Sequence, residues 1–157
     1  VIVGGIDLGV RKSAYSIYVN GRMTHVADLQ VLQHSRNREL SRLAYWTKER
    51  LKVCDFIVIE EPLLGRGARA SLQIAQTAGA IMTMFPETRT ELVPVSVWKK
   101  EVCGKGNADK QFVREWLESA YPSYAALCGC NQDRVDAACI GLYGVQLADR
   151  SRQLAEL

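Results

Sequence analysis

The rhythm of apolar and polar positions changes several times along this chain, and each change marks an element. Val1 to Asp7 is a nearly unbroken apolar run closed by Gly9, the pattern of a buried strand. Ser13 to Val19 alternates instead, with Ala14, Ser16 and Tyr18 opposing Tyr15, Ile17 and Val19. Asn20-Gly21 is a dipeptide that a two-residue hairpin favours, and Arg22 to Val31 returns as a third strand. After Ser35 the period lengthens. Leu40, Leu43, Ala44, Thr47, Leu51 and Cys54 recur at helical spacing, while Arg36, Arg38, Arg42, Lys48 and Arg50 take the other face. Asp55 to Glu60 is again a compact apolar run, ending in carboxylates. A helix rich in small residues is predicted from about Ala68 to Phe85, and a short strand over Glu91 to Val95. Two helices follow, over Ser96–Val102 and Asn107–Ser119. Pro122 breaks the pattern, and a final helix runs from Asn131 to about Ala148.

A three-strand meander, then strands alternating with helices, then a closing helix predicts an α/β fold: a mixed five-stranded sheet with helices on both faces. No repeat, low-complexity tract or linker interrupts residues 1–157, so a single domain is expected. The 48% apolar and 24% charged composition excludes a disordered chain. The formal charge of +3 is too small to identify a partner unless the cations cluster. No run of about 18 apolar residues is present, so no membrane span is expected. The opening Val1-Ile2-Val3-Gly4-Gly5 lacks the basic region and cleavage site of a secretory signal, and lacks an initiator Met, as in a trimmed chain. The five cysteines are odd in number and irregularly spaced, which fits reduced thiols in the cytoplasm. A zinc site from Cys103, Cys128 and Cys130 is the less favoured alternative, because the usual ligand spacing is missing.

Three places carry acids that packing alone would not select. Asp7 ends the first strand in Gly5-Ile6-Asp7-Leu8-Gly9, and Glu60 ends the fourth in Ile59-Glu60-Glu61-Pro62. Asp133 and Asp136 open the last helix three residues apart, on one face and roughly 5–6 Å from each other. First and fourth strands can be neighbours in a mixed sheet, and a helix across them would bring all four acids together. Clustered carboxylates repel unless they protonate or bind cations. Oxygen-only ligands suit Mg2+ or Mn2+, and two such ions about 3.5–4 Å apart support phosphodiester hydrolysis. No histidine base is required, and His25 and His34 lie away from these motifs. Each acid also has a plainer explanation. Asp7 before Leu8-Gly9 fits a turn, and Asp133 fits a helix start through the dipole. Glu60 and Glu61 point to opposite faces of a strand, which leaves one as surface charge. The four together, in this order, favour a shared site.

Four stretches resemble the RuvC family of Holliday junction resolvases, within the ribonuclease H-like superfamily. They are Gly5-Ile6-Asp7-Leu8-Gly9, Ile59-Glu60-Glu61, the segment from Trp98-Lys99 through Gly104-Lys105-Gly106-Asn107-Ala108-Asp109-Lys110, and Asp133-Arg134-Val135-Asp136-Ala137-Ala138. They span nearly the whole chain in family order. The resemblance implies that Asp7, Glu60, Asp133 and Asp136 are catalytic acids holding two Mg2+ ions per site, with Mn2+ as a substitute. It implies that Lys99 and Lys110 meet the scissile or nearby phosphates. It further implies a homodimer that cuts opposed strands of branched DNA, leaving 5′-phosphate and 3′-hydroxyl ends, with no organic cofactor. The sequence departs from the family at Leu8, where many relatives carry proline. It departs again at Leu63, where bacterial relatives carry a base-stacking aromatic. An apolar wedge still separates base steps but forgoes stacking worth roughly 1–3 kcal/mol per base.

Against this background several cations read as DNA contacts. Lys110 is expected about three residues inside a helix capped by Asn107, where a phosphate at the helix end would offset its conflict with the dipole. Gly104 and Gly106 would let the loop carrying Lys105 approach a backbone closely. Leu64-Gly65-Arg66-Gly67-Ala68-Arg69 reads as a mobile basic loop, with Arg66 and Arg69 gripping phosphates or merely solvating a connection. The helix after it is apolar on more than one face, so it is either buried or shared with a second copy.

Alternatives remain beside the resolvase reading. One is a ribonuclease H-like nuclease for flaps, forks or structured RNA. Another is the sugar kinase, actin and Hsp70 superfamily, whose similar opening strand cradles phosphate but which needs two domains to enclose ATP. A third is a junction-binding scaffold without catalysis, which would not need all four acids. The expected location is the cytoplasm of a bacterial or phage-infected cell, and a phage-type member without branch-migration partners fits the sequence.

Overall fold

The first strand, β1 (Ile2–Asp7), organises the molecule, because it pairs antiparallel with β2 (Ser13–Val19) and parallel with β4 (Phe56–Glu60). In the computed structural model, which describes residues 1–9, 12–29, 36–62 and 67–155 (backbone only for 36–39), the sheet order is β3-β2-β1-β4-β5. β3 spans Arg22–Leu29 and β5 spans Arg89–Val93. The β2–β3 hairpin turns on Asn20 and Gly21, both at positive φ (49° and 79°), as an Asn-Gly turn requires. The helices are α1 (Arg36–Leu51), α2 (Ala68–Thr83), α3 (Val95–Cys103), α4 (Lys110–Ala120), α5 (Pro122–Cys128) and α6 (Gln132–Ala155). This is the mixed five-stranded sheet that the pattern predicts.

Helices cover both faces, and strand alternation decides which residues meet them. Ile6, Tyr15, Ile57 and Ile59 pack with Leu43 and Leu51 of α1 and with Ala78 and Ile81 of α2. Val3, Tyr18 and Val58 pack on the opposite side with Trp98, Val113, Leu117 and the α6 residues Val135, Ala138 and Ile140. α6 lies unusually close to the sheet. A Cβ on Gly5 would stand 2.3 Å from the Gly141 nitrogen, and one on Gly141 would stand 2.4 Å from Ser16 Oγ and 2.5 Å from the Tyr18 ring. Two hydroxyls hold the helix there. Ser16 Oγ donates to the Ala137 carbonyl at 2.7 Å, and Tyr18 Oη donates to the Ala138 carbonyl at 2.8 Å.

Four local expectations change. The helix after the glycine-flanked loop is capped by Asp109, whose carboxylate accepts from Phe112 N at 2.8 Å, and not by Asn107. Lys110 is therefore the first helical residue. Pro122 starts α5 and does not simply interrupt the chain, because its fixed φ and missing N–H suit a first helical turn. α6 continues past Ala148 to Ala155. α2 begins at Ala68, as the periodicity predicts, so Arg69 lies on its first turn and not in the basic loop.

Candidate active site

Alternation along β1 and β4 decides which acids meet. Gly5 abuts α6, so Asp7, two residues on, projects to the same side. Val58 packs in that layer too, so Glu60 follows it. The register sets Ile6 beside Ile59, which leaves Asp7 and Glu60 side by side at the ends of two parallel strands. α6 crosses the sheet with Asp133 and Asp136 near its start. All four acids line a single cleft of about 580 Å³, as do Lys99 and Lys110.

The cleft is rich in negative charge. Six carboxylates line it, the four acids plus Glu61 and Asp109, against the three lysines Lys12, Lys99 and Lys110. Burial, followed by the charges of Glu60, Asp136 and Asp133, pushes the Asp7 carboxyl well above the usual range, and Lys110 pulls it back. Burial also raises Asp136, with Asp133 adding to the effect. A hydrogen bond from Gln132 and the charges of Lys99 and Lys110 oppose it.

Side-chain donors fix several of these groups. The Trp98 indole N–H donates to Glu60 Oε2 at 2.9 Å. Gln132 Nε2 donates to Asp136 Oδ1 at 2.9 Å, and the amide oxygen of Gln132 accepts from Arg114 at 3.2 Å. Lys99 Nζ donates to the Ala108 carbonyl at 2.6 Å, which anchors it at the cleft wall. The start of α6 is tied to the sheet by Arg134, whose Nε and Nη2 reach the two Asp28 oxygens at 2.8 and 3.0 Å. Asn131 donates to the same carboxylate at 2.9 Å.

Of the residues singled out in the sequence, Asp7, Glu60, Asp133, Asp136, Lys99 and Lys110 come together. Lys105 and Arg69 do not line this cleft. The Lys105 ammonium lies 5.0 Å from the Phe112 ring centroid, and Arg69 is exposed on the first turn of α2. Leu63 and Arg66 lie outside the described residues. The cysteine alternative gains nothing, since Cys103 and Cys128 are buried while Cys130 is exposed. Lys12, just before β2, joins the cleft unforeseen, although its place near the first acid was visible in the sequence. Trp98 was legible as part of a resembling stretch and Gln132 as a helix residue, but neither as a donor to an acid.

The donor set suits hard divalent cations: oxygen atoms only, on carboxylates whose mutual repulsion a cation relieves. Among the described residues, no three His, Cys, Asp or Glu side chains stand close enough to form a finished metal centre. Glu60 and Asp136 are instead engaged by Trp98 and Gln132.

Sheet order, two-sided helical cover and acids at adjacent strand ends define the ribonuclease H-like α/β class. Among solved structures, the chain is similar in fold to Holliday junction resolvases. The chain superposes on Thermus thermophilus RuvC with a TM-score of 0.79 at 19% identity, covering 96% of this chain and 97% of that one. On T. thermophilus RuvC in complex with Holliday junction substrate the TM-score is 0.81, at 19% identity and 96% of each chain. The yeast mitochondrial Holliday junction resolvase Ydc2 gives 0.67 at 13% identity, covering 96% of this chain and 80% of that one. No family profile matches the chain, and no curated protein is detectably similar in sequence. The fold is that of the RuvC-type resolvases. Among the described residues, no helix is long and apolar enough to cross a membrane.

Proposed function

We propose that this chain is a structure-selective endonuclease that hydrolyses phosphodiesters in Holliday junctions and other branched DNA. The observation that carries the reading is the convergence of Asp7, Glu60, Asp133 and Asp136 with Lys99 and Lys110 in one cleft. The likeness to RuvC solved with Holliday junction substrate supports the choice of DNA. Asp7, Glu60, Asp133 and Asp136 would hold two Mg2+ ions, or Mn2+ in their place. Bound there, the ions supply an activated water and counter-charge for the leaving oxygen. The chain's own work is placement. The β1–β4 register fixes Asp7 beside Glu60, and α6 sets its two acids against them. Lys110 stands at the N-terminus of α4, where a phosphate meets an ammonium group and the first backbone N–H groups together. Lys99, held by Ala108, offers a second contact from the same wall.

The reading includes 5′-phosphate and 3′-hydroxyl products, a homodimer, no organic cofactor, and action in the cytoplasm of a bacterial or phage-infected cell. A homodimer is supported by the outward stripe of α2, where Leu72 is 56% exposed and Ala75, Gly79 and Thr83 follow at helical spacing on the surface. Light scattering of the wild type and of Leu72→Glu measures it, with a dimer expected for the first and a monomer for the second. Cleavage of labelled four-way junction, flap, linear duplex and RNA/DNA hybrid with Mg2+ or Mn2+ tests the activity. Paired symmetric nicks in the junction are expected. A preference for flaps, forks or RNA moves the assignment to another ribonuclease H-like nuclease, and binding without cleavage refutes catalysis.

A further inference from the structure

Trp98 is fully buried, 0% exposed, in the layer between the sheet and α6. A phenylalanine there would fill most of the same space and bring no polar atom. An indole brings an N–H, and a buried N–H left without an acceptor is destabilising. The acceptor that Trp98 finds is a carboxylate of the cleft, Glu60 Oε2 at 2.9 Å. The indole has two side-chain torsions, and packing in the cluster with Val93, Val102 and Val113 holds it in one orientation. The core therefore sets the direction of the N–H, and the N–H sets the direction of the Glu60 carboxylate. Glu60 is the last residue of β4, and the sheet fixes its backbone but not the torsions of its long side chain. A hydrogen bond from a rigid buried group is one means by which a flexible glutamate can keep one aim.

We infer that Trp98 is a positioning residue for divalent-cation binding, its indole N–H holding the Glu60 carboxylate in the orientation that takes a cation. The inference rests on the reading of Glu60 as a cation ligand given above. Hydrogen bonds to ligating groups from such outer partners typically govern affinity by about 10–100-fold. A purely structural tryptophan would behave differently, since its loss would lower stability and leave cation binding where it was.

The test compares the full-length wild type with Trp98→Phe by Mn2+ calorimetry and by thermal unfolding in cation-free buffer. Mn2+ binding is expected to weaken by about 10–100-fold, with cleavage recovering as the cation concentration is raised. Leu43→Ala, an apolar loss in the cluster on the other face of the sheet, is expected to lower Tm without moving the Mn2+ midpoint. An unchanged midpoint in Trp98→Phe overturns the inference. A second readout does not depend on how that variant folds. The indole 15N–1H resonance of Trp98 in the wild type is expected to shift as Mg2+ fills the site, and to stay fixed in Glu60→Gln. A resonance unmoved at saturating Mg2+ likewise overturns it. Wild-type protein that binds neither cation sinks the two-cation reading and this inference with it, whereas wild-type binding with an unaltered Trp98→Phe sinks this inference alone.

Discussion

Gly141→Ala adds a single methyl group at one of the tightest contacts among the described residues, so its cost can be worked from distances. The new Cβ would lie 2.4 Å from Ser16 Oγ and 2.5 and 2.8 Å from two Tyr18 ring carbons. Tyr18 is fully buried and bonded to the Ala138 carbonyl, so its ring has no room to withdraw. The helix must move instead. Replacing glycine inside a helix gains about 1 kcal/mol of propensity. Overpacking of this kind costs about 1–3 kcal/mol. Lifting α6 also stretches the hydroxyl bonds from Ser16 and Tyr18, each worth about 1 kcal/mol. The balance is a loss of about 2–4 kcal/mol, which lowers Tm by roughly 5–15 °C in a chain of this size. Asp136 lies on the same helix, little more than one turn before Gly141, so the shift carries it away from Asp7. Misplacement near 1 Å is expected to reduce cleavage about 100-fold. Urea unfolding and single-turnover cleavage measure the two effects separately. Gly144→Ala, whose nearest neighbours are methyl groups of Val3 and Val58 at 2.7 and 2.9 Å, is expected to cost less on both counts. Gly141→Ala protein with wild-type stability and wild-type cleavage would refute the close-packed α6.

Three further outcomes are expected. Asp7→Asn should abolish cleavage and retain junction binding in a mobility-shift assay. Because burial and neighbouring acids raise the Asp7 carboxyl, its charged form opposes folding above the unfolded value of about 3.9. The asparagine variant should therefore show a higher Tm than wild type at neutral pH without divalent cations, and a lower or equal Tm sinks that account. Asp28 behaves oppositely. Its hydrogen bond from Arg134 holds its carboxyl below the usual range, so its contribution is full above about pH 3.9 and disappears as pH falls through the folded value. Asp28→Asn should cost about 1 kcal/mol at neutral pH for this one-third-exposed pair, and the gap should close in acid unfolding experiments below about pH 4. Lys110→Ala should weaken junction binding and reduce the slope of log affinity against log salt by about 0.9, as loss of one phosphate contact requires.

The parts of the fold legible in sequence are those governed by local periodicity. Alternation marked β2, Asn20-Gly21 marked the hairpin, and the 3.6-residue spacing of Leu40, Leu43, Thr47 and Leu51 marked α1. The acids were legible because carboxylates at the ends of apolar strands, as at Asp7 and Glu60, conflict with simple burial. Local rules failed where two readings of one residue compete. Pro122 reads as a breaker from before and as a helix starter from behind. Asn107 and Asp109 are both good caps, and the turn from Lys105 to Ala108 decides for the second. Contacts between distant segments left no local trace. Nothing near Trp98 in the chain announces that its N–H reaches Glu60, and nothing near Gly5 announces Gly141.

The span of chain between the acids bears on how the protein is made. Asp7 lies on β1, which leaves the ribosome before the other described elements, whereas Asp133 and Asp136 lie on α6, after all of them. Domains assemble during and after synthesis as their segments emerge. A nascent chain lacking α6 holds Asp7 and Glu60 without their partners, and leaves exposed the sheet face that carries Val3, Tyr18 and Val58. Such a chain has no assembled cleft with which to attack nucleic acid. On the proposed nuclease reading, placing half of the acids on α6 keeps the cleft incomplete until translation has delivered that helix.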